Sequence, residues 1–529
     1  MTSIANNPKN PGLKLIETSF AEMNAVQKLS TLAKIPYDLS VDGNLNAERI
    51  DRFKAHACGY TMLYATERID KNCMDSLFEL AKESYAFEQM EQMQSGEIVN
   101  FMDGFPSEQR AALHTATRDF FDNPNQAQEA VKATKDALNE INKLKSFINK
   151  IDEENRWEHI LVVGIGGSEL GPKAHYEALQ AYLKPGRSAS FLSNIDPDAL
   201  EMIVRNCDLA KTLVLIISKT GTTLETLTNE EILRARFESV GLQGKDHFIS
   251  VTCPKSPLDD PQKYREVFFM WDWVGGRYST TSMVGGVLLA FAFGFDSFWE
   301  LLRGANAMDK VALEKSLDKN LPLLAALLGI WNRNFLNHSH IAIIPYSQAL
   351  ARFPAHIQQL DMESNGKHVD KMGRLVTFDT GPIIFGEPGT SAQHSFYQLI
   401  HQGTTPIPLE FITFKEPQLP NDRTVNGTTS QQKLLSNVFA QTIALATGQK
   451  NENPNKSFQG NRPSFLLIGQ KLTAFALGAL LSFYENKVAF QGFIWHTNSF
   501  DQEGVQLGKI LATKILDRFS GHGSEYPLG

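Results

Sequence analysis

Ser218-Lys-Thr-Gly-Thr-Thr223 sets four hydroxyls, a glycine and a lysine between an apolar, β-branched run at 213–217 and a segment that reads as a helix from Leu224. Free backbone N–H groups and the helix dipole at such a junction favour a phosphate. Ser218, Lys219, Thr220 and Thr223 are therefore candidate binding residues. A second tight turn, Gly164-Ile-Gly-Gly-Ser-Glu-Leu-Gly171, follows another apolar run that ends at Val163. A dinucleotide fingerprint needs glycine at 169, where Glu169 stands, and the 218–223 loop lacks the Gly-Lys-Ser/Thr ending of a Walker motif. The better reading is a turn whose backbone approaches a ligand, with Ser168 donating a hydrogen bond.

Other groups along the chain could do chemistry. Gly275-Gly276-Arg277 joins backbone freedom to a permanent cation. If the segment is helical, Gln359 and Glu363, four residues apart, lie on one face. His394 follows a glycine turn and runs into a helical segment, a setting suited to proton transfer. Gln502 and Lys509 open the last long helical pattern, and their spacing of seven predicts one shared face. Taken singly, such a glutamate, histidine or lysine is ordinarily solvated or simply packed.

These loops need elements to position them. Up to about residue 148 the pattern is helical, with Ile50–Cys58 and Ser76–Lys82 as examples and Ser107 as a helix N-cap. From about 158 short apolar runs alternate with helical segments, the pattern of a parallel, doubly wound sheet. The expected strands include 159–163, 190–192, 213–217, 248–251 and 267–270. A second set comprises 341–344, 375–377, 383–385, 411–413 and 465–468. The expected division is a helical N-terminal extension at 1–120, α/β domains at 121–300 and 301–512, and a tail at 513–529, Gly- and Ser-rich after Phe519 and less ordered.

Bulk properties narrow the class. A net charge of −8 argues against nucleic acid or an anionic membrane as the main partner. Four scattered cysteines, with no C-x-x-C spacing, indicate reduced thiols and a cytoplasmic protein without disulfide or zinc framework. The first twenty residues lack a signal-peptide core, and the most apolar stretch, 283–295, is too short to span a bilayer and reads as a buried helix.

Together the motifs are similar to those of the glucose-6-phosphate isomerase family. The resemblance rests on Gly164-Ile-Gly-Gly-Ser-x-Leu-Gly-Pro172, Ser218-Lys-Thr-x-Thr-Thr223, Gly275-Gly-Arg-Tyr-Ser279, Met362-Glu-Ser-Asn-Gly-Lys367, Gln393-His-Ser-Phe-Tyr-Gln-Leu-Ile-His-Gln-Gly403 and Phe500-Asp-Gln-x-Gly-Val-x-Leu-Gly-Lys509, in family order. Arg110-Ala-Ala-Leu-His-Thr115 and Gly460-Asn-Arg-Pro463 are further landmarks, whereas Glu503 and Gly104–Ser107 depart from the pattern. The resemblance implies two SIS-type α/β domains, a C-terminal helical arm and a homodimer. It also implies interconversion of glucose 6-phosphate and fructose 6-phosphate without a cofactor or metal.

By the same resemblance Ser218, Thr220, Thr223 and the backbone around Lys219 hold the phosphate, with Ser168 close by. Glu363 carries a proton between C1 and C2 through a cis-enediol, and Arg277, beside Gly276, stabilises its charge. His394, reaching in from the partner subunit, opens the ring with Lys509. Gln359 and Gln502 position the sugar. Three rivals remain open. A sugar-phosphate sensor would keep the 218–223 loop without needing Glu363, Arg277, His394 and Lys509 together. A metal-dependent hydride-shift isomerase needs a compact cluster of oxygen or imidazole ligands, which the sequence does not present. The third rival is the same chemistry on mannose 6-phosphate.

Overall fold

A computed structural model describes residues 17–520. Strands Ser188–Leu192, His159–Val163, Thr212–Ile217, Phe248–Thr252 and Glu266–Phe269 lie side by side in that order, all parallel. Their unbroken apolar runs suit burial on both faces. Ile160, Val162, Leu213, Leu215 and Ile217 enter the central core, while Leu161, Val163, Val214 and Ile216 pack on the other face with Leu233 and Phe237 of helix Leu224–Ser239. The chain leaves strand 159–163 for one side of the sheet and returns on the other side as strand 212–217. The loops after these two strands therefore flank a topological switch point, where α/β sheets bind ligands.

The second sheet runs Lys54–Ala57, Tyr60–Leu63, Ser464–Lys471, Leu409–Glu416, His340–Tyr346 and Ile383–Phe385. Its last four strands are parallel, and here too alternate residues face opposite cores: Ile341 and Ile343 the central one, Ala342 and Ile344 a separate cluster. Helices Phe295–Ala312 and Ala474–Trp495 cross through the central core in close contact. A Cβ on Gly304 would come within 1.9 Å of the Phe475 carbonyl, and one on Gly478 within 1.9 Å of the Leu301 carbonyl, so only glycine permits this approach. Helix Met283–Phe293 is buried at every residue, as its apolar sequence predicts, and among the described residues no helix is long and apolar enough to cross a membrane.

Several local expectations fail for identifiable reasons. The segment 50–58, read as helical, ends helix Ala47–Arg52 and becomes strand Lys54–Ala57. Cys58 and Gly59 both take positive φ, +48° and +79°, which closes a tight hairpin whose second strand pairs antiparallel with 466–469. A free sheet edge overrode the helical period. Ser107 caps no helix: its hydroxyl accepts from the Met102 N–H, and the chain continues into the short strand Arg110–Ala111. The triplet 375–377 makes only an isolated bridge from Leu375 to Val369, and Leu375 is largely exposed, so no core draws it into a strand. The first residues, 1–16, and the Gly- and Ser-rich stretch from 521 lie outside the described residues.

Candidate active site

The loop after strand Thr212–Ile217 is organised by the hydroxyl of Ser218. It lies 2.9 Å from Thr223 Oγ1 and accepts from the Gly221 N–H at 3.1 Å. Gly221 turns the chain at φ +67°, where a Cβ would also press on Pro257 at 2.9 Å. Thr223 precedes helix Leu224–Ser239, but its side chain is turned toward Ser218 and caps no first-turn N–H. Thr220 accepts from the Thr222 hydroxyl at 2.8 Å and is exposed, so the loop presents polar groups at the start of a helix whose dipole favours an anion.

Lys219 does not extend from this loop as a free cation. Its Nζ donates to the carbonyls of Asp272 (2.8 Å) and Val274 (3.0 Å), which ties the loop to the one that carries Arg277. Burial, and then the nearby Arg110 guanidinium, push its pKa down to about 8. The 164–168 turn joins the same cluster. A Cβ at Gly167 would fall 2.2 Å from the Gly276 carbonyl, so these loops touch backbone to backbone. Gly166, at φ +61°, brings its α-carbon region near Gln359 Nε2, while half-buried Ser168 packs beside Gly164.

Arg277 is almost wholly buried, at 2% exposure, and every nitrogen of its guanidinium has a partner. Nε donates to Ser364 Oγ at 2.7 Å, and Nη2 to the carbonyls of Ser499 (2.7 Å) and Asp501 (3.0 Å). Nη1 donates to Gln502 Oε1 at 3.3 Å and stands 3.3 Å from Glu363 Oε2. Glu363 belongs to helix Phe353–Asn365, with Gln359 one turn earlier, so the two do share a face. Gln359, Glu363 and Gln502 line one cavity of about 890 Å³, together with Lys367, Phe385 and Asp501. Gln359 Oε1 is buried there without a hydrogen-bond partner among the described residues.

The site therefore assembles in part. The structure brings Arg277, Glu363, Gln359 and Gln502 together and links them through Gly276 and Lys219 to the 218–223 loop, which is not itself a wall of the cavity. His394 and Lys509 are exposed and do not line it. Gln502 and Lys509 share no helical face. Gln502 has φ −148°, a 3₁₀ turn follows at Glu503–Val505, and the helix is Gln506–Phe519, while the Gln502 side chain accepts from Arg277. His394 ends the short helix Gly389–Gln393 and precedes helix Tyr397–Gln402.

One pair escaped the sequence reading. Lys367 Nζ, whose pKa burial lowers from the ordinary lysine value, bonds the carboxylate of Asp501 at 2.6 Å and its carbonyl at 2.9 Å. Both residues stand inside motifs already noted, yet only their contact across the fold signals a role. Among the described residues no three His, Cys, Asp or Glu side chains are grouped to hold a metal ion.

A parallel α/β fold, with a hydroxyl-rich loop at its switch point and a buried arginine against a cavity carboxylate, defines an enzyme that handles a small anionic substrate. The Phosphoglucose isomerase family profile matches residues 63–525. The chain is 56% identical over 508 residues to a glucose-6-phosphate isomerase of Protochlamydia amoebophila (strain UWE25), covering 96% of this chain and 94% of the relative. It is 50% identical over 509 residues to one of Chlamydia pneumoniae, covering 96% of each. The crystal structure of a glucose-6-phosphate isomerase from Chlamydia trachomatis D/UW-3/Cx superposes with a TM-score of 0.94 at 46% identity, covering 96% of this chain and 98% of that one. The chain belongs to the phosphoglucose isomerase family.

Proposed function

We propose that this chain interconverts glucose 6-phosphate and fructose 6-phosphate by ring opening and proton transfer through a cis-enediol. The observation that carries this reading is the 3.3 Å contact of the buried Arg277 guanidinium with Glu363, whose side chain lines the cavity of about 890 Å³. Family membership and the names of relatives at 50–56% identity support the substrate pair. Removing a proton next to a carbonyl needs a carboxylate held close to that carbon, the task given to Glu363. Negative charge then grows on the sugar oxygens, and Arg277, already fixed by its other bonds, meets it without reorganising.

The 218–223 loop takes the phosphate, chiefly through Ser218, Thr220, Thr223 and backbone N–H groups, with Ser168 beside it. Phosphate binding remote from the reacting carbons orients them. Gln359 and Gln502 are given the sugar hydroxyls; the unpaired Oε1 of Gln359 supports this. His394 and Lys509 are given ring opening, with His394 contributed by a partner subunit. Their exposure in a single chain supports a homodimer, as does helix Gln506–Phe519, which buries no residue and exposes Leu507, Ile510 and Phe519. Free cysteines support a cytoplasmic setting. A coupled assay of fructose 6-phosphate conversion by the purified protein tests the reading. Tight sugar-phosphate binding without turnover would instead point to a sensor.

A further inference from the structure

Arg277 is fixed by two segments far apart in the chain. Its own loop is tied down at Asp272, whose carbonyl accepts from Lys219 Nζ and from Arg110 Nη1, each at 2.8 Å. The carbonyls that Arg277 reaches belong to a second loop, anchored where the Asp501 carboxylate takes Lys367 and, at 2.8 Å, Asn498 Nδ2. The two anchors are themselves joined. Asn498 Nδ2 donates to Asn100 Oδ1 at 2.8 Å, and Asn100 Nδ2 to Glu108 Oε2 at 2.6 Å. The same Glu108 oxygen pairs with Arg110 Nη2 at 2.5 Å. An unbroken polar chain thus runs from Asp501 to Asp272 through the antiparallel pair Ile98–Asn100 and Arg110–Ala111.

Such a chain has physical consequences. Asn100 and Asn498 are 1% and 2% exposed, and Asn100 Nδ2 also reaches the Phe500 carbonyl at 3.4 Å, so removing the Asn100 side chain breaks several buried hydrogen bonds that hold the two loops in one geometry. Glu108 and Arg110 are only half-buried, so their effect lies in what they connect. None of Asn100, Glu108 and Arg110 lines the substrate cavity.

We propose that the 98–111 hairpin is a positioning brace for the isomerisation, with Asn100, Glu108 and Arg110 as positioning residues that lock the 272–277 loop to the 498–502 loop. The inference rests on the functional reading above. Because Lys219 shares the Asp272 carbonyl with Arg110, the brace also ties the phosphate loop to the reacting end of the sugar.

The test compares the parent with Asn100→Ala, Glu108→Ala and Glu108→Gln. It measures kcat and KM for fructose 6-phosphate, inhibition by inorganic phosphate, and the melting temperature. The brace predicts that kcat falls by about tenfold or more in both alanine variants, the scale of a small misplacement near the chemistry. Phosphate inhibition should change by less than about twofold, because the 218–223 loop keeps its own internal bonds. Glu108→Gln, which keeps an acceptor for Asn100 and Arg110, should recover most of the loss. A residue of merely structural importance would lower the melting temperature while leaving kcat per folded site unchanged. Parent-like kcat in both alanine variants, or a loss confined to phosphate affinity, would overturn the brace. A parent that fails to convert fructose 6-phosphate at all would instead overturn the functional reading, and the brace's purpose with it.

Discussion

Arg277 Nη1 stands 3.3 Å from Glu363 Oε2 while Nε of the same guanidinium bonds the hydroxyl of Ser364, the very next residue. The arginine thus grips the end of helix Phe353–Asn365 at two adjacent positions, and its Nη2 is held by two carbonyls from 499–501. It cannot turn relative to the carboxylate without breaking several bonds. A base and a cation held in fixed register are what a proton shuttle through a charged enediol requires.

Arg277→Lys should be far from conservative. A lysine cannot serve Ser364, Gln502 and the two carbonyls at once, and it leaves some of them unpaired. Steady-state kinetics should show kcat lowered by about 10²-fold or more, with a smaller change in KM. Parent-like kcat in this variant would mean that the guanidinium does not meet developing charge.

Ser218→Ala combined with Thr223→Ala should act on binding. The double variant removes the hydrogen-bonded hydroxyl pair that shapes the phosphate loop. At about 0.5–1.5 kcal/mol per bond, KM should rise by roughly tenfold while kcat falls much less. Unchanged KM and unchanged inhibition by inorganic phosphate would remove the phosphate from this loop.

Acidity should appear on the alkaline side of the kcat/KM profile. Burial and Arg110 depress Lys219, so in the free enzyme its ammonium loses its proton as pH rises through about 8. The phosphate loop then loses a positive charge, and kcat/KM should fall above that pH. Lys219→Arg keeps the charge and should move this limb to higher pH. A limb that persists unmoved in the arginine variant would assign it to another group.

Much of the frame behind these predictions was legible in the sequence. The runs at 159–163 and 213–217 are apolar at every position because both faces of a parallel sheet are buried, and the glycines and hydroxyls that end them mark the ligand edge. That Gln359 and Glu363 share a face follows from their spacing once 353–365 is helical. What escaped was tertiary. The period of 50–58 fits a helix equally well, and only the open edge at 466–469 makes it a hairpin. Gln502 lies off the helical path, before the 3₁₀ turn Glu503–Val505, with its side chain on Arg277. The contact of Lys367 with Asp501, and the chain through Asn100 and Glu108, join segments whose proximity no local pattern encodes.

Subunit mixing tests the shared site. If His394 reaches the partner's cavity, Glu363→Gln and His394→Ala homodimers are each inactive, yet a heterodimer holds one site with both native residues. Reassortment of an equal mixture should restore about a quarter of parental activity, since half the dimers then carry one intact site of two. No recovery under conditions that exchange subunits would place His394 and Glu363 of one chain in the same site.

The most direct measurement follows isotope from solvent into product. Fructose 6-phosphate is converted in deuterium oxide by the parent and by Glu363→Gln, and the glucose 6-phosphate formed is analysed at C2. Proton transfer through Glu363 predicts deuterium at C2 with the parent. It also predicts conversion lowered by about 10³-fold in the variant, within the range expected for loss of a general base. Product free of solvent deuterium, formed at a parental rate by Glu363→Gln, would contradict the account.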